Sequence, residues 1–119
     1  MESEFIELEP FTQKMESSSL NDEWLRELEI DLLAGRRKVY RPKALAGLHK
    51  VRAQNPGRSK GKRGGFRVYF IRYEDLGVIV LVWISDKDVE TNISPKNQKE
   101  VRALMRGLRT EIEKYVEGR

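Results

Sequence analysis

Hydrophobic and polar positions alternate in the middle of the chain, and this pattern predicts a β-hairpin. Between Phe66 and Tyr73, the residues Phe66, Val68 and Phe70 fall on one face, and the residues between them fall on the other. A short polar break follows, and then an uninterrupted, largely β-branched run, Val78–Ile84, which is typical of a central strand. The two segments therefore predict two antiparallel strands at the centre of a sheet.

Two other segments have the spacing of amphipathic helices. The first lies between an Asn21 N-cap and a Gly35 C-cap, and the second begins at Ser94-Pro95, a cap followed by a first-turn proline, and closes the chain. Each helix has one apolar stripe with which it can pack on the sheet. The stripes are Trp24, Leu25, Leu28 and Leu32 in the first helix and Val101, Leu104, Met105, Leu108, Ile112, Tyr115 and Val116 in the second.

Shorter patterns predict two further strands. Phe5–Glu9 is predicted as a short edge strand that Pro10 ends, because proline lacks the N–H that a strand ladder needs. Gly47–Ala53 is predicted as a strand on which Lys50 and Arg52 share a face.

Together these elements predict a single α+β domain over residues 1–119, in which a small antiparallel β-sheet packs against N-terminal and C-terminal helices. We expect the face with Phe66, Val68 and Phe70 to form the core and the opposite face, with Arg67 and Tyr69, to stay open. The apolar runs are far shorter than the ~20 residues that span a bilayer, and the first residues lack a signal-peptide pattern. A cytoplasmic protein that contacts no membrane is therefore expected.

Charge is distributed unevenly along the chain. Residues 1–31 hold ten acids against two bases, whereas residues 32–72 hold thirteen lysines and arginines and no acid. Such a block makes a positive potential whose natural partner is a polyanion, because each cation that meets a phosphate releases a condensed counterion. Nucleic acid is therefore the leading partner, and the acidic N-terminal third predicts an oriented binder.

The densest part of the basic block is the loop that leads into the Phe66 strand. It lacks the glycine spacing and the Gly-Lys-Ser/Thr ending of a nucleotide-binding P-loop, so triphosphate binding is not expected. Its cations either form a solvated surface or bind phosphate, and the strand residue Arg67 directly behind them favours phosphate binding. The loop cations are Arg58, Lys60, Lys62 and Arg63, and Arg67 follows them on the strand.

Other candidate groups change this picture little. The chain has no cysteine and one histidine, His49, so neither a metal nor a cofactor is expected, and His49 itself receives no catalytic role. Trp24 and Trp83 lie in apolar segments and are assigned to the core. Tyr69 shares a face with Arg67, where it either stacks on a base or packs across the strands.

A set of cations can support either binding or cleavage of RNA. Cleavage needs a deprotonated ribose 2′-hydroxyl, a stabilised charge on the phosphorane and a protonated 5′-oxygen leaving group. A lysine crowded by other cations can have a lowered pKa and act as a base, while arginine stays charged and holds phosphate. The composition does not require this chemistry, so both activities stay open.

Four segments then follow one another: Gly47-Leu48-His49-Lys50-Val51-Arg52, Gly57–Arg67, Leu81–Lys87 and Ser94-Pro95. Together they resemble the RelE/HigB family of bacterial toxins, from about Phe5 through the C-terminal helix, with Gly-Lys-Arg-Gly-Gly-x-Arg as the most specific run. The resemblance implies the toxin of a type II toxin–antitoxin system, a metal-independent endoribonuclease (mRNA interferase) that cleaves mRNA on the translating ribosome. It also implies a cognate antitoxin protein as partner, often one with a helix-turn-helix DNA-binding domain.

The resemblance also suggests roles for single residues. Arg67 matches the strand arginine that contacts the scissile phosphate, and Lys87 matches the basic residue after the last strand. Ser85 departs from the family, because many HigB-like members have tyrosine there, and Asp86 and Asp88 place acids on both sides of Lys87. From the motif and the residue pattern together, the expected catalytic residues are Arg67, Lys60, Lys62 and Lys87, and the expected RNA-binding residues are Lys50, Arg52, Arg58, Arg63 and Tyr69.

Three functions follow as hypotheses. The first is the mRNA-cleaving toxin. The second is a non-catalytic RNA- or DNA-binding module, or a cleavage-defective toxin homologue, in which the same cations only hold phosphates. The third is an interaction protein whose basic face docks an acidic partner. Salt-dependent RNA affinity separates the first two from the third, and intact RNA products separate the second from the first.

Overall fold

The computed structural model describes residues 3–56, 65–86 and 93–119, and it has the predicted α+β fold with helices in the N-terminal and C-terminal regions. Within these ranges no helix is both long enough and apolar enough to cross a membrane. A 3-10 turn, Glu74–Leu76, connects the central strands. The other elements are β1 (Glu4–Glu7), α1 (Glu9–Ser17), α2 (Asp22–Ala34), β2 (His49–Ala53), β3 (Phe66–Tyr73), β4 (Val78–Asp86), α3 (Pro95–Met105) and α4 (Leu108–Glu117).

The four described strands form one mixed sheet in the order β1-β4-β3-β2. β3 is antiparallel to both β2 and β4, which confirms the predicted hairpin. β1 runs parallel to β4, with Glu4 opposite Val78, so the expectation of a wholly antiparallel sheet is corrected at this edge. The reason is the connection, because β1 pairs with β4, the last of the described strands, and no tight turn between them sets an antiparallel direction.

The predicted caps of α2 are confirmed. The Asn21 side-chain oxygen accepts a hydrogen bond from the backbone N–H of Trp24 at 2.9 Å, and Gly35 ends the helix with a left-handed φ of 65°. Leu20, just before the cap, is buried together with Leu28. Local sequence alone is enough to place this helix, because both ends carry residues that satisfy unpaired backbone groups.

The helix α1 was not predicted. Pro10 was expected only to end the first strand, but it lies in the first turn of α1, where its missing N–H would have no intrahelical partner in any case. Phe11 and Met15, four residues apart, are buried against the sheet. The 11–15 spacing and the first-turn proline are the signals that would have found α1.

The predicted C-terminal helix begins as expected but is divided. The Ser94 hydroxyl accepts a hydrogen bond from the N–H of Asn97, and Pro95 occupies the first turn. Gly107 adopts a φ of 74° and separates α3 from α4. A left-handed residue cannot continue an α-helix, so the single apolar stripe of the sequence is carried by two helices at a bend.

Both faces of the sheet carry a hydrophobic core. On one face, Phe66, Val68 and Phe70 pack with α1 and α2, as predicted. The opposite face was expected to stay open, but Val80 and other β4 residues there pack with Val101 of α3 and with α4. This correction follows from β4, whose residues are apolar on both faces and need a cover on each.

A register shift in β4 decides which side chains meet beside Arg67. Phe70 pairs with Leu81 and Tyr69 pairs with Trp83, so Val82 is an extra residue in β4. Because of this β-bulge, the β4 side chains after Val82 lie on the opposite face from the one that simple alternation would give. Beyond it, Arg67 stands opposite Ser85.

Candidate nucleic-acid interface

Two adjacent cross-strand rows of side chains lie on the sheet face toward α3 and α4. Strand β2 contributes a cation to each row, which confirms that its two cations share a face. Strand β3 places the candidate catalytic arginine in the middle of the first row. The rows are Arg52, Arg67 and Ser85, and Lys50, Tyr69 and Trp83.

Arg67 is a nearly buried cation, with 8% of its surface exposed. Its neighbour across β2 is Arg52, which has the same charge, and like charges directly opposite one another destabilise a sheet. Among the residues that the structure describes, no ion pair involves Arg67. A buried charge is normally paired, so this arrangement favours an anion from outside the described residues.

Two buried polar atoms meet at the same place. Nε of Arg67 and Oγ of Ser85 have no hydrogen-bond partner in the described part of the chain, although buried polar atoms are almost always bonded. The two residues are direct partners across β3 and β4. Both are groups that donate hydrogen bonds to phosphate oxygens, and a charged acceptor strengthens such bonds.

Lys50 has the electrostatic character of a general base. Burial lowers the pKa of the Lys50 ammonium, and the charge of Arg67 lowers it further. Its backbone is held by two hydrogen bonds of 2.8 Å with Tyr40, which forms an isolated antiparallel bridge on the free edge of β2. A lysine with a lowered pKa is more readily deprotonated, so Lys50 joins the loop lysines as a candidate base.

Tyr40 is a candidate that sequence reasoning missed. The residue is 43% exposed, and it lies beside Lys50. The Nζ of Lys38 is 5.2 Å and the Nζ of Lys50 is 5.9 Å from the ring centroid. An exposed aromatic ring between two cations is suited to stack on a base whose phosphates the lysines bind. The run Lys38-Val39-Tyr40-Arg41, an aromatic among cations, was the available signal.

The structure buries Tyr69 and packs Trp83 against the core with part of its surface exposed. Tyr69 is 1% exposed, so it cannot offer a ring face to a base, and the alternative of packing across the strands is the one observed. Trp83, which was assigned to the core, is only partly buried. It lines a cavity of about 520 Å³ together with Ser85 and Asp86. The bulge before Trp83 and the cover of α3 and α4 explain these positions, and neither is visible in the alternation pattern.

Five predicted cations and one flanking acid lie outside the described residues. They belong to the segments between Pro56 and Gly65 and between Asp86 and Ile93. The first segment joins the ends of β2 and β3 at which Arg52 and Arg67 lie. The roles of both segments in the site therefore stay predictions. The residues concerned are Arg58, Lys60, Lys62, Arg63, Lys87 and Asp88.

No protein-family model matches the chain. The likeness to the RelE/HigB toxins accordingly remains a hypothesis that rests on the motifs quoted above. In the described ranges, no group of three or more His, Cys, Asp or Glu side chains is placed to hold a metal ion.

Proposed function

We propose that the protein is an RNA-cleaving toxin of the RelE/HigB type that acts on mRNA at the translating ribosome in the cytoplasm. The observation that carries the proposal is Arg67, a nearly buried guanidinium beside Arg52 and Lys50, with no ion pair among the described residues. An RNA phosphate would supply the missing negative charge. Its remaining partner in the proposal is an antitoxin protein that neutralises it.

In the proposed reaction the ribose 2′-oxygen attacks the adjacent phosphorus and the bond to the 5′-oxygen breaks. The products are a 2′,3′-cyclic phosphate and a free 5′-hydroxyl. Lys50 takes the proton of the 2′-hydroxyl, because its lowered pKa makes the neutral amine more accessible. Arg67 binds the phosphorane oxygens, whose charge grows in the transition state. A lysine of the loop or Lys87 delivers the proton to the leaving 5′-oxygen.

A second candidate, RNA binding without cleavage, is favoured by Ser85. Its hydroxyl is buried, and it stands where the family resemblance expects a tyrosine. Aliphatic hydroxyls are much poorer acids than a tyrosine phenol or a lysine ammonium, so Ser85 binds a phosphate oxygen better than it donates a proton. In this alternative Lys50, Arg52 and Arg67 hold RNA in the same place, and the strand stays intact.

The test is primer extension on a reporter mRNA translated in a reconstituted system with the purified protein. We expect cuts that appear only during translation and disappear with Arg67→Met, which removes the charge and keeps most of the side-chain volume. Arg106→Met is the matched control, because Arg106 is exposed at the end of α3, and it should cut normally.

Arg67→Met should fold, since it relieves like-charge repulsion with Arg52, and thermal unfolding of both variants checks this. Full cleavage by a folded Arg67→Met protein would exclude the proposed mechanism. Intact mRNA with the unaltered protein still bound to ribosomes would establish the second candidate instead.

A further inference from the structure

A second basic pocket lies on the other side of the sheet from Arg67. It is about 490 Å³ in volume and lies between the end of α2, the segment that follows it, and the paired ends of β2 and β3. His49, the one histidine of the chain, and Phe70 stand opposite one another there, and their rings stack at 5.3 Å between centroids. We refer to this cavity as the His49 pocket.

The guanidinium groups of the His49 pocket differ in what they contact. Arg37 is fully engaged, because it pairs with Asp31 at 2.8 Å and donates to the carbonyl oxygen of Arg52. Arg72 is exposed and donates one hydrogen bond of 3.2 Å to the Leu32 carbonyl at the end of α2. Arg41 is exposed as well, and within the described residues it forms no ion pair or hydrogen bond.

The imidazole of His49 has an unused capacity for hydrogen bonding. Its Nδ1 atom is buried and has no hydrogen-bond partner in the described ranges. Burial lowers the pKa of His49, the charges of Arg41 and Arg72 lower it further, and an interaction with the Phe70 backbone raises it. Arg41, Arg72 and His49 line the same cavity. Two carboxylates also line the pocket, Asp31 on α2 and Glu74 in the 3-10 turn. Arg37 neutralises Asp31, so positive charge prevails in the pocket.

The remaining wall of the pocket is apolar and open to solvent. Leu33 is 50% exposed and Val39 is 44% exposed, and both line the cavity. Its volume lies within the range of roughly 300 to 1,000 Å³ that is usual for small-molecule sites, and it greatly exceeds that of a bare phosphate ion. The lining therefore combines an oxyanion-binding end with an apolar end.

We propose that the His49 pocket binds a small organic anion, a phosphate monoester or a carboxylate. The oxyanion lies between Arg41 and Arg72 and receives a third hydrogen bond from His49. The body of the ligand lies over Leu33 and Val39. This site is separate from the proposed RNA site, which lies on the opposite face of the sheet, and it does not depend on that function.

The single histidine makes the test specific, because its ring C–H signals in NMR spectra report on this pocket alone. The full-length protein is titrated with adenosine 5′-monophosphate, benzoate and inorganic phosphate at constant ionic strength, with chloride as the reference salt. We expect saturable shifts of the His49 signals with one or both organic anions, and at least tenfold weaker binding with inorganic phosphate. Saturation by the monophosphate alone assigns the site to phosphate monoesters, and saturation by benzoate assigns it to carboxylates.

Bound benzoate, which stays ionised near neutral pH, favours the imidazolium, so its affinity should rise as pH falls through the raised pKa of the complex. A phosphate monoester itself gains a proton at about pH 6, which opposes this rise. Asp31 and Glu74 are the acidic groups that line the same pocket, and Arg37 pairs with Asp31. Arg41→Gln and Arg72→Gln should each weaken binding at least tenfold. Arg106→Gln, at an exposed arginine at the end of α3 that does not line the pocket, and Arg67→Met should retain it.

Shifts that do not saturate with any of the three anions would overturn the proposal, as would equal binding by Arg41→Gln. Equal affinity for inorganic phosphate and the organic anions would refute the role of Leu33 and Val39. Backbone amide spectra of each variant show whether it is folded, and Arg72→Gln gives an independent result if Arg41→Gln is not.

Discussion

Arg67 and Lys50 show how a functional property arises from the surroundings of a residue. Each is an ordinary cation in the sequence, and several other lysines and arginines in the basic block look equivalent. Burial of Arg67 next to Arg52 and Lys50 makes the local charge unfavourable for the fold and favourable for an anion. Buried cations without a nearby counter-charge are common at functional sites, where they lower the stability of the fold and favour the binding of a ligand.

At Lys50 we predict that the pKa rises when Arg67 is replaced by methionine. The rise is partial, because burial is the larger cause of the lowered value and the substitution removes only the charge of Arg67. Lysine side-chain NMR titration measures it, and Arg106→Met should leave the value of Lys50 unchanged.

The same lowered pKa affects stability. Folded Lys50 binds fewer protons than unfolded Lys50 between its lowered pKa and its ordinary one, so stability should rise with pH across that window. As pH falls from the ordinary pKa of lysine to the lowered pKa of Lys50, this stability is lost, and below the lowered value the effect no longer changes. Urea unfolding at several pH values should show a shallower rise in Arg67→Met, and an identical slope in both proteins would contradict the assigned coupling.

We predict that Tyr40 stacks on an RNA base and that its contribution to RNA affinity does not depend on salt concentration. Tyr40→Ala should weaken binding of a short single-stranded RNA roughly tenfold, since stacking on an aromatic ring contributes about 1 to 3 kcal/mol per base. Tyr40→Phe keeps the ring and should bind normally. Fluorescence anisotropy over a range of salt concentrations measures both.

Lys38→Ala provides the contrast for this prediction. Lys38→Ala should remove one phosphate contact, so the plot of log affinity against log salt concentration should become less steep by about 0.7. Tyr40→Ala should leave that slope unchanged because tyrosine is uncharged. A changed slope with Tyr40→Ala, or an unchanged affinity, would contradict base stacking.

At the scale of elements, local signals explain the helices, whereas contacts between strands explain the site. The caps at Asn21, Gly35 and Ser94 could be predicted because each satisfies backbone groups of its own helix. The bulge at Val82 could not, because it appears only when β4 pairs with β3. It nevertheless decides that Ser85 meets Arg67.

The hairpin end beside this pair gives an element-scale prediction at Gly65. A Cβ placed on Gly65 would lie 2.7 Å from the backbone carbonyl oxygen of Ala53, which cannot move without opening the end of β2 and β3. Gly65→Ala should therefore destabilise the fold by about 1 to 3 kcal/mol and also weaken RNA binding, because Arg52 and Arg67 separate.

Gly118→Ala is the control, since the new Cβ would lie 3.4 Å from its nearest neighbour and far from the candidate interface. Urea unfolding and RNA anisotropy are measured on both variants. Full RNA affinity in a destabilised Gly65→Ala protein would show that the hairpin end does not position the site.

At the scale of the whole molecule, the helices that carry much of the acidic charge lie on the opposite side of the sheet from the proposed RNA interface. The helices α1 and α2, which carry much of the acidic N-terminal third, cover the face with Phe66, and the candidate interface lies on the other face. Exposed acids such as Glu23 and Glu27 lie on α2, on the side of the sheet opposite Arg67. This separation supports the oriented binding that the charge pattern predicts.

We predict that Glu23→Gln and Glu27→Gln together raise the RNA association rate by less than about threefold at low salt and leave dissociation unchanged, because charges remote from an interface act through steering. Arg52→Gln should slow association and speed dissociation, since Arg52 lies in the interface. Stopped-flow measurements at two salt concentrations separate these outcomes. A large change in dissociation with the glutamine pair would place α2 in the RNA contact.

The amino-acid sequence by itself determined the fold class, the capped helices, the central hairpin and the block of positive charge, because periodicity, caps and charge are local properties. The tertiary structure decided that β1 runs parallel to β4, that both faces of the sheet are covered, and that Tyr69 is buried while Tyr40 and Trp83 are accessible. It also joined Lys50, Arg52, Arg67 and Ser85 in two neighbouring rows. The physical reason is that burial, strand register and a lowered pKa depend on groups far apart in sequence, which only the packed chain brings together.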